Sequence, residues 1–111
     1  MTYSEYFASV KATFAGIDVS DMKEHLAYQF NIKGDAEGIF YVEVKDGKLY
    51  IEPYEYFDRD AIFVGTAKLF TDIMNGKKDP VHEFLLQRLK VEGDLEKALK
   101  LKELIERNLK K

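Results

Sequence analysis

Between Leu26 and Glu52 the chain alternates apolar and polar side chains almost without a break. Tyr28, Phe30 and Ile32 fall on one side, Gln29, Asn31 and Lys33 on the other. Phe40, Val42 and Val44 then alternate with Tyr41, Glu43 and Lys45, and Leu49 and Ile51 with Lys48, Tyr50 and Glu52. A period of two belongs to a strand with one buried face. Turn chemistry separates the three runs. Gly34 to Gly38 has a flexible residue at each end, and Asp46-Gly47 is a two-residue hairpin signal, because both central positions want positive φ. Pro53 stops the third run. The segment predicts an antiparallel meander with one greasy and one wet face. A slip of one residue would turn every Phe and Ile into water, which fixes the register.

Helical spacing flanks this meander. Thr2 and Glu5 are placed as a capping box, and Tyr3, Tyr6, Phe7, Val10 and Phe14 predict an amphipathic helix over residues 3–15, ended by Gly16. Residues 17–25 show no clear period; Ser20 could cap one short turn containing Met22 and Lys23. Residues 54–60, YEYFDRD, read as a connecting loop, and Ala61 to Val64 as a short strand apolar on both sides. Gly65-Thr66 leads into a helix with Leu69, Phe70, Ile73 and Met74 on one side, ended by Asn75-Gly76. Asp79 is a good N-cap, with Pro80 at the first helical position, where its missing N–H costs nothing. Arg88 to Glu92 alternates as a strand, Gly93 breaks it, and Asp94 caps a long terminal helix carrying Leu95, Ala98, Leu99, Leu101, Leu104, Ile105 and Leu109. The predicted fold is α+β: a five-stranded, mostly antiparallel sheet with helices packed on one face, in a single domain over residues 1–111.

Composition narrows the function by exclusion. The charge is -3, with 17 basic and 20 acidic residues scattered without a long run of one sign, so nothing recommends a nucleic-acid surface. There is no cysteine, hence no disulfide framework and no thiolate chemistry. No apolar run approaches the ~18 residues of a membrane span. The N-terminus, MTYSEYFASV, does not resemble a secretory signal, and the expected compartment is the cytoplasm.

Reactive groups are sparse. His25 and His82 stand far apart with no second ligand at helical spacing, and no nucleophile elbow or phosphate-binding glycine loop is present. The loop with Glu52, Glu55, Asp58 and Asp60 could supply a carboxylate pair or a hard-cation site; a solvated connection is the simpler account. No catalytic residue, metal site or cofactor is expected. The surplus is apolar: eight Phe and seven Tyr in 111 residues. Spacing alone does not separate a filled core from a ligand cavity. The broad apolar arc of the terminal helix leaves room for a lipid, a partner chain such as a second copy, or the first helix.

Four segments, taken in order, carry a resemblance: Phe30-Asn31-Ile32, Val42 to Gly47, Asn75 to Pro80, and Leu89 to Asp94. They resemble a strand ending in a similar apolar motif, a "v-x-DG" hairpin, a "G-K-x-x-P" loop and a "K-V-x-G-D" strand of the sterol carrier protein type 2 lipid-binding domain, across roughly residues 5–108. The resemblance implies a hydrophobic tunnel between sheet and helices and non-catalytic carriage of a fatty acid, acyl-CoA or other lipid, with transient membrane contact at most. Mapped by expected facing, the tunnel would be lined by Phe30, Phe40, Val42, Leu69, Phe70, Ile73, Met74, Phe84, Leu85, Leu99 and Leu104. The chain ends in Leu109-Lys110-Lys111, without a Ser-Lys-Leu-type address, and has no attached enzyme domain, so it resembles a standalone prokaryotic-type member for which sterol is an unlikely cargo. The alternative is an interaction or dimerisation module of the same fold with a filled core, accessory to an enzyme.

Overall fold

A computed structural model describes residues 1–111. Helix α1 (Tyr3–Ala15) is followed by strands β1 (Leu26–Lys33), β2 (Gly38–Lys45), β3 (Lys48–Glu52) and β4 (Ala61–Thr66). Helices α2 (Ala67–Met74) and α3 (Pro80–Leu85), strand β5 (Lys90–Gly93), and helices α4 (Leu95–Leu99) and α5 (Leu101–Lys110) complete the chain. One sheet runs in the order β3-β2-β1-β4-β5. Three of its pairings are antiparallel, and β1 with β4 is parallel.

The local signals act as their chemistry dictates. Thr2 and Glu5 close a reciprocal capping box on α1. Thr66, Asp79 and Asp94 each accept a backbone N–H at the start of α2, α3 and α4. Asp46 and Gly47 adopt φ of 53° and 72°, the mirror-image turn that suits a right-twisted hairpin. Gly38, where β2 begins, has a different reason: a Cβ there would stand 2.2 Å from the Tyr3 ring, whose hydroxyl donates to the Ile39 carbonyl at 2.5 Å.

The core lies between the sheet and the helix layer. Tyr28, Phe30, Ile32, Phe40, Val42, Val44 and Phe63 project from the sheet, and Tyr6, Val10, Phe14, Phe70, Ile73, Leu101 and Leu104 come down onto them, all buried. Phe30 sits at the centre. Its ring stacks on Phe40 at 5.0 Å and Phe63 at 5.2 Å, and meets Phe70 edge-on at 5.2 Å.

Four expectations need correction. The terminal helix is two helices interrupted at Lys100, and β5 begins at Lys90 because Gln87 takes a φ of 63° and Arg88 turns back to Glu83. The turn before β1 is capped by Asp18, which accepts from the Ser20 N–H at 2.9 Å; Ser20 does not cap it. The face of the sheet away from the helices is not simply wet. The parallel β1–β4 pair obliges the chain to pass from β3 across β2 and β1, so residues 53–60 cover Gln29 and Glu43 and leave them 4% and 7% exposed.

Candidate functional site

The helix layer does not fill its space uniformly. A cavity of about 140 Å³ lies where α1, α2 and the start of α5 meet the sheet. Tyr6, Val10 and Phe14 of α1, Phe30 and Phe40 of the sheet, Phe70, Ile73 and Met74 of α2, and Leu101 line it, with Ser9, Thr13, Thr71 and Asn75 as polar neighbours. Burial raises the Tyr6 hydroxyl to about 12, so it stays protonated at neutral pH.

A second cavity of about 240 Å³ opens between α3, β5 and α4. Phe63, Leu89 and Val91 form its floor against the sheet, and Val81, Phe84, Leu85, Leu95 and Leu99 surround it with Pro80, Ala98 and Lys102. Its walls follow from local structure. Asp79 and Pro80 start a short α3 that aims Val81, Phe84 and Leu85 at the gap. Asp94 starts α4, whose Leu95 and Leu99 share one face at i, i+4. The rim stays open: Leu85 is 71%, Leu95 54% and Leu99 55% exposed.

The two cavities share no lining residue. Phe30 and Phe70 border the first and Phe63 the second, so the stacked Phe30–Phe63 pair stands between them. The expected single tunnel is therefore divided by an aromatic partition. Of the expected lining residues, Phe30, Phe40, Phe70, Ile73 and Met74 gather at the first cavity, and Phe84, Leu85 and Leu99 at the second. Val42, Leu69 and Leu104 line neither; they are core, at 1%, 7% and 0% exposure. The α1 residues were missed as lining although their stripe was plain. Phe63 was missed too, and its signal was its place between Ala61 and Gly65, in step with the buried parity of β4.

No carboxylate lines either void. Glu83, 2% exposed, receives Arg88 through two hydrogen bonds of 2.8 and 2.9 Å. That hydrogen bonding holds its carboxyl below the usual range. On the opposite face of the sheet, Tyr56 donates to Glu43 Oε2 at 2.5 Å and His25 Nε2 lies 2.6 Å from the same oxygen. Burial pushes the Glu43 carboxyl up, but these two hydrogen bonds outweigh it and leave the group below its ordinary value. The Tyr56 hydroxyl is raised to about 12, chiefly by its bond to that carboxylate. Asp60 accepts from the Ala27 N–H at 2.8 Å, so part of the acidic loop ties β1 to β4. No three His, Cys, Asp or Glu side chains converge as a metal site. No helix is long and apolar enough to cross a membrane.

A helix-covered five-stranded sheet with two apolar voids inside the helix layer makes this an α+β domain of a recognisable class. The SCP-2 sterol transfer family matches residues 7–106, and the chain belongs to that family of lipid-binding and lipid-transfer domains. Hydroxysteroid dehydrogenase-like protein 2 of Xenopus tropicalis is 29% identical over 79 residues, covering 70% of this chain. The chain spans 19% of that relative's length. Among solved structures, a double mutant of the sec-alkyl sulfatase of Pseudomonas sp. superposes with a TM-score of 0.73 at 14% identity, over 86% of this chain and 15% of that one. Palmitated sterol carrier protein 2-like 2 of Aedes aegypti gives 0.66 at 19% identity, over 95% of each chain. These likenesses show the fold, which occurs both as a small protein and as a segment of a long enzyme.

Proposed function

We propose that this domain is a non-catalytic carrier of a lipid with an aliphatic chain, such as a fatty acid or acyl-CoA. The chain lies in the second cavity and reaches the first when the aromatic partition moves. The observation that carries this reading is the second cavity itself: about 240 Å³, walled by apolar side chains, with three leucines at its rim more than half exposed. Leaving those leucines in water costs free energy that an alkyl chain laid across them recovers. Each buried CH₂ gains ~0.8 kcal/mol, so a chain of about ten carbons gains on the order of 8 kcal/mol before the costs of association. That is ample for micromolar binding.

Volume supports a partition that moves. Pockets for drug-sized molecules run from roughly 300 to 1,000 Å³, and neither cavity reaches that alone. A short chain fits the second; a long one requires Phe63 to turn aside from Phe30 and join the two. Transfer of a chain from water needs no reacting group, and the lining of the second cavity offers Lys102 as its one titratable side chain. The solved Aedes relative was studied as a palmitated protein, which is in keeping with an acyl cargo.

The exposed leucines also suit the alternative, a surface that docks a partner chain or a second copy. Native mass spectrometry of protein purified without detergent separates the two. Co-purified lipid on a monomer supports the carrier, and a lipid-free dimer supports the module.

A further inference from the structure

We infer that strand β3 pairs with the β3 of a second copy of this chain, antiparallel about a two-fold axis at Tyr50, joining two sheets edge to edge. β3 is one of the two edges of the sheet. Apart from its ladder with β2, no hydrogen bond reaches the main chain between Lys48 and Glu52. The two-residue turn at Asp46-Gly47 makes Lys45 and Lys48 a hydrogen-bonded pair, and alternation gives the same role to Glu43 with Tyr50 and Tyr41 with Glu52. Leu49 and Ile51 therefore point their N–H and C=O groups away from β2. An open row of this kind is a template for another strand.

The side chains say which strand fits. Laid antiparallel against itself about Tyr50, the run from Lys48 to Glu52 puts Lys48 opposite Glu52 of the partner subunit, Leu49 opposite Ile51 of the partner subunit, and Tyr50 opposite Tyr50 of the partner subunit. The parity also agrees. Leu49 and Ile51 of the partner subunit exchange N–H···O bonds both ways, while the charged and aromatic residues fall at the non-hydrogen-bonded positions, where side chains lie closest. Within one chain those charges are unanswered. Lys48 faces Lys45 across the ladder, a like charge, and Glu52 faces Tyr41. Neither Lys48 nor Glu52 takes part in an ion pair. Tyr50 stands 41% exposed between them. On the helix side, Leu49 and Ile51 border a groove of about 310 Å³ beside Phe14, Ala15 and Ile17, which the incoming strand covers.

The opposite edge is less suited. β5 has four residues against five in β3, and its Lys90 and Glu92 already meet each other at 3.7 Å. The second cavity lies at that opposite edge, so pairing through β3 leaves it open in both copies and neither needs nor disturbs a cargo. So short a strand pair buries less than the roughly 1,200 Å² of the smallest stable interfaces, so the dimer should half-form at about 100 µM and fall apart at the micromolar concentrations of native mass spectrometry.

Sedimentation equilibrium of the full chain, from micromolar to millimolar concentration, should show monomer passing to dimer. Over the same range hydrogen exchange should slow at the Leu49 and Ile51 amides and stay unchanged at Tyr50, whose N–H is already spent on β2. Two variants test the charges. Lys48→Glu leaves both ends of the strand acidic, and Glu52→Lys leaves both basic; each alone should dimerise at least about tenfold more weakly. Mixed in equal amounts, the two should recover the original affinity to within about threefold, because each supplies the charge the other lacks. A folding defect in either would not be repaired by mixing, and the exchange pattern of the unaltered protein decides the matter without them. A chain that stays monomeric at millimolar concentration would overturn the inference. So would a dimer indifferent to both variants, which would be docked through another surface such as the leucines of the second cavity. Variants that fail to recover on mixing, or exchange that slows at Tyr50 and spares Leu49 and Ile51, would contradict the register and overturn it equally.

Discussion

The helix layer is nearly finished over β1 and β2, around the smaller cavity, and left unfinished over β5. At the finished end Phe30 touches three other aromatic rings and stays 4% exposed, and Ile73 and Leu104 are fully enclosed. At the unfinished end side chains of the same kind surround a larger void and stand half in water. The two ends use one vocabulary of Phe and Leu for opposite purposes. Closure stabilises the fold, and incompleteness leaves an apolar surface for a ligand to cover. A substitution should therefore act on stability at one end and on binding at the other.

The largest effect is expected at Phe30. Phe30→Ala should cost about 3–5 kcal/mol in urea unfolding; a loss near the ~0.5 kcal/mol of an ordinary surface change would show that the finished end is not the anchor. Phe63→Ala tests the partition. It should cost about 3 kcal/mol and, by merging the voids, shift the preferred fatty acid to a longer chain in a displacement assay. An unchanged chain-length optimum would mean that the two cavities act separately.

Next in size is the polar latch on the far face. Glu43→Gln should cost about 1–3 kcal/mol, because Tyr56 and His25 lose a charged acceptor there. The pH dependence has a definite sign. The Glu43 and Glu83 carboxyls lie below their ordinary value of 4.5, so both contribute in full above that pH. Their contribution is lost as pH falls through the lower folded values. Acid titration of the unaltered protein should show this loss below about pH 4.5, and Glu43→Gln should flatten it. The smallest effect on stability belongs to the open rim: Leu85→Ala and Leu99→Ala should stay within about 0.5 kcal/mol in unfolding yet weaken fatty-acid binding several-fold.

Much of the fold was legible because it depends on local chemistry. The Asp46-Gly47 hairpin, the caps at Thr2, Asp79 and Asp94, and the period-two runs each fix structure within a few residues. The parallel pairing of β1 with β4 joins segments about thirty residues apart and leaves no local mark. With it went the burial of Gln29 and Glu43, which only the crossing of residues 53–60 produces. The interruption at Lys100 was equally hidden, since lysine favours helix; tertiary packing sets it, with Ala98 and Leu101 buried while Leu95 and Leu99 face the second cavity. The candidate site was half legible. Facing put Phe30, Phe70 and Ile73 where the first cavity lies, but whether a void between apolar side chains is open or closed depends on ångström-scale packing. Val42, Leu69 and Leu104 share that facing yet are packed solid and line neither cavity.

The most direct test of the account is a titration of the delipidated protein with saturated fatty acids of increasing length, followed by methyl NMR and by thermal unfolding. The melting temperature should rise with chain length. The first shifts should come at Leu85, Leu95 and Leu99, with Ile73 and Leu101 joining only for the longer chains. A melting temperature unmoved by any fatty acid, or shifts that spare the second cavity, would contradict it.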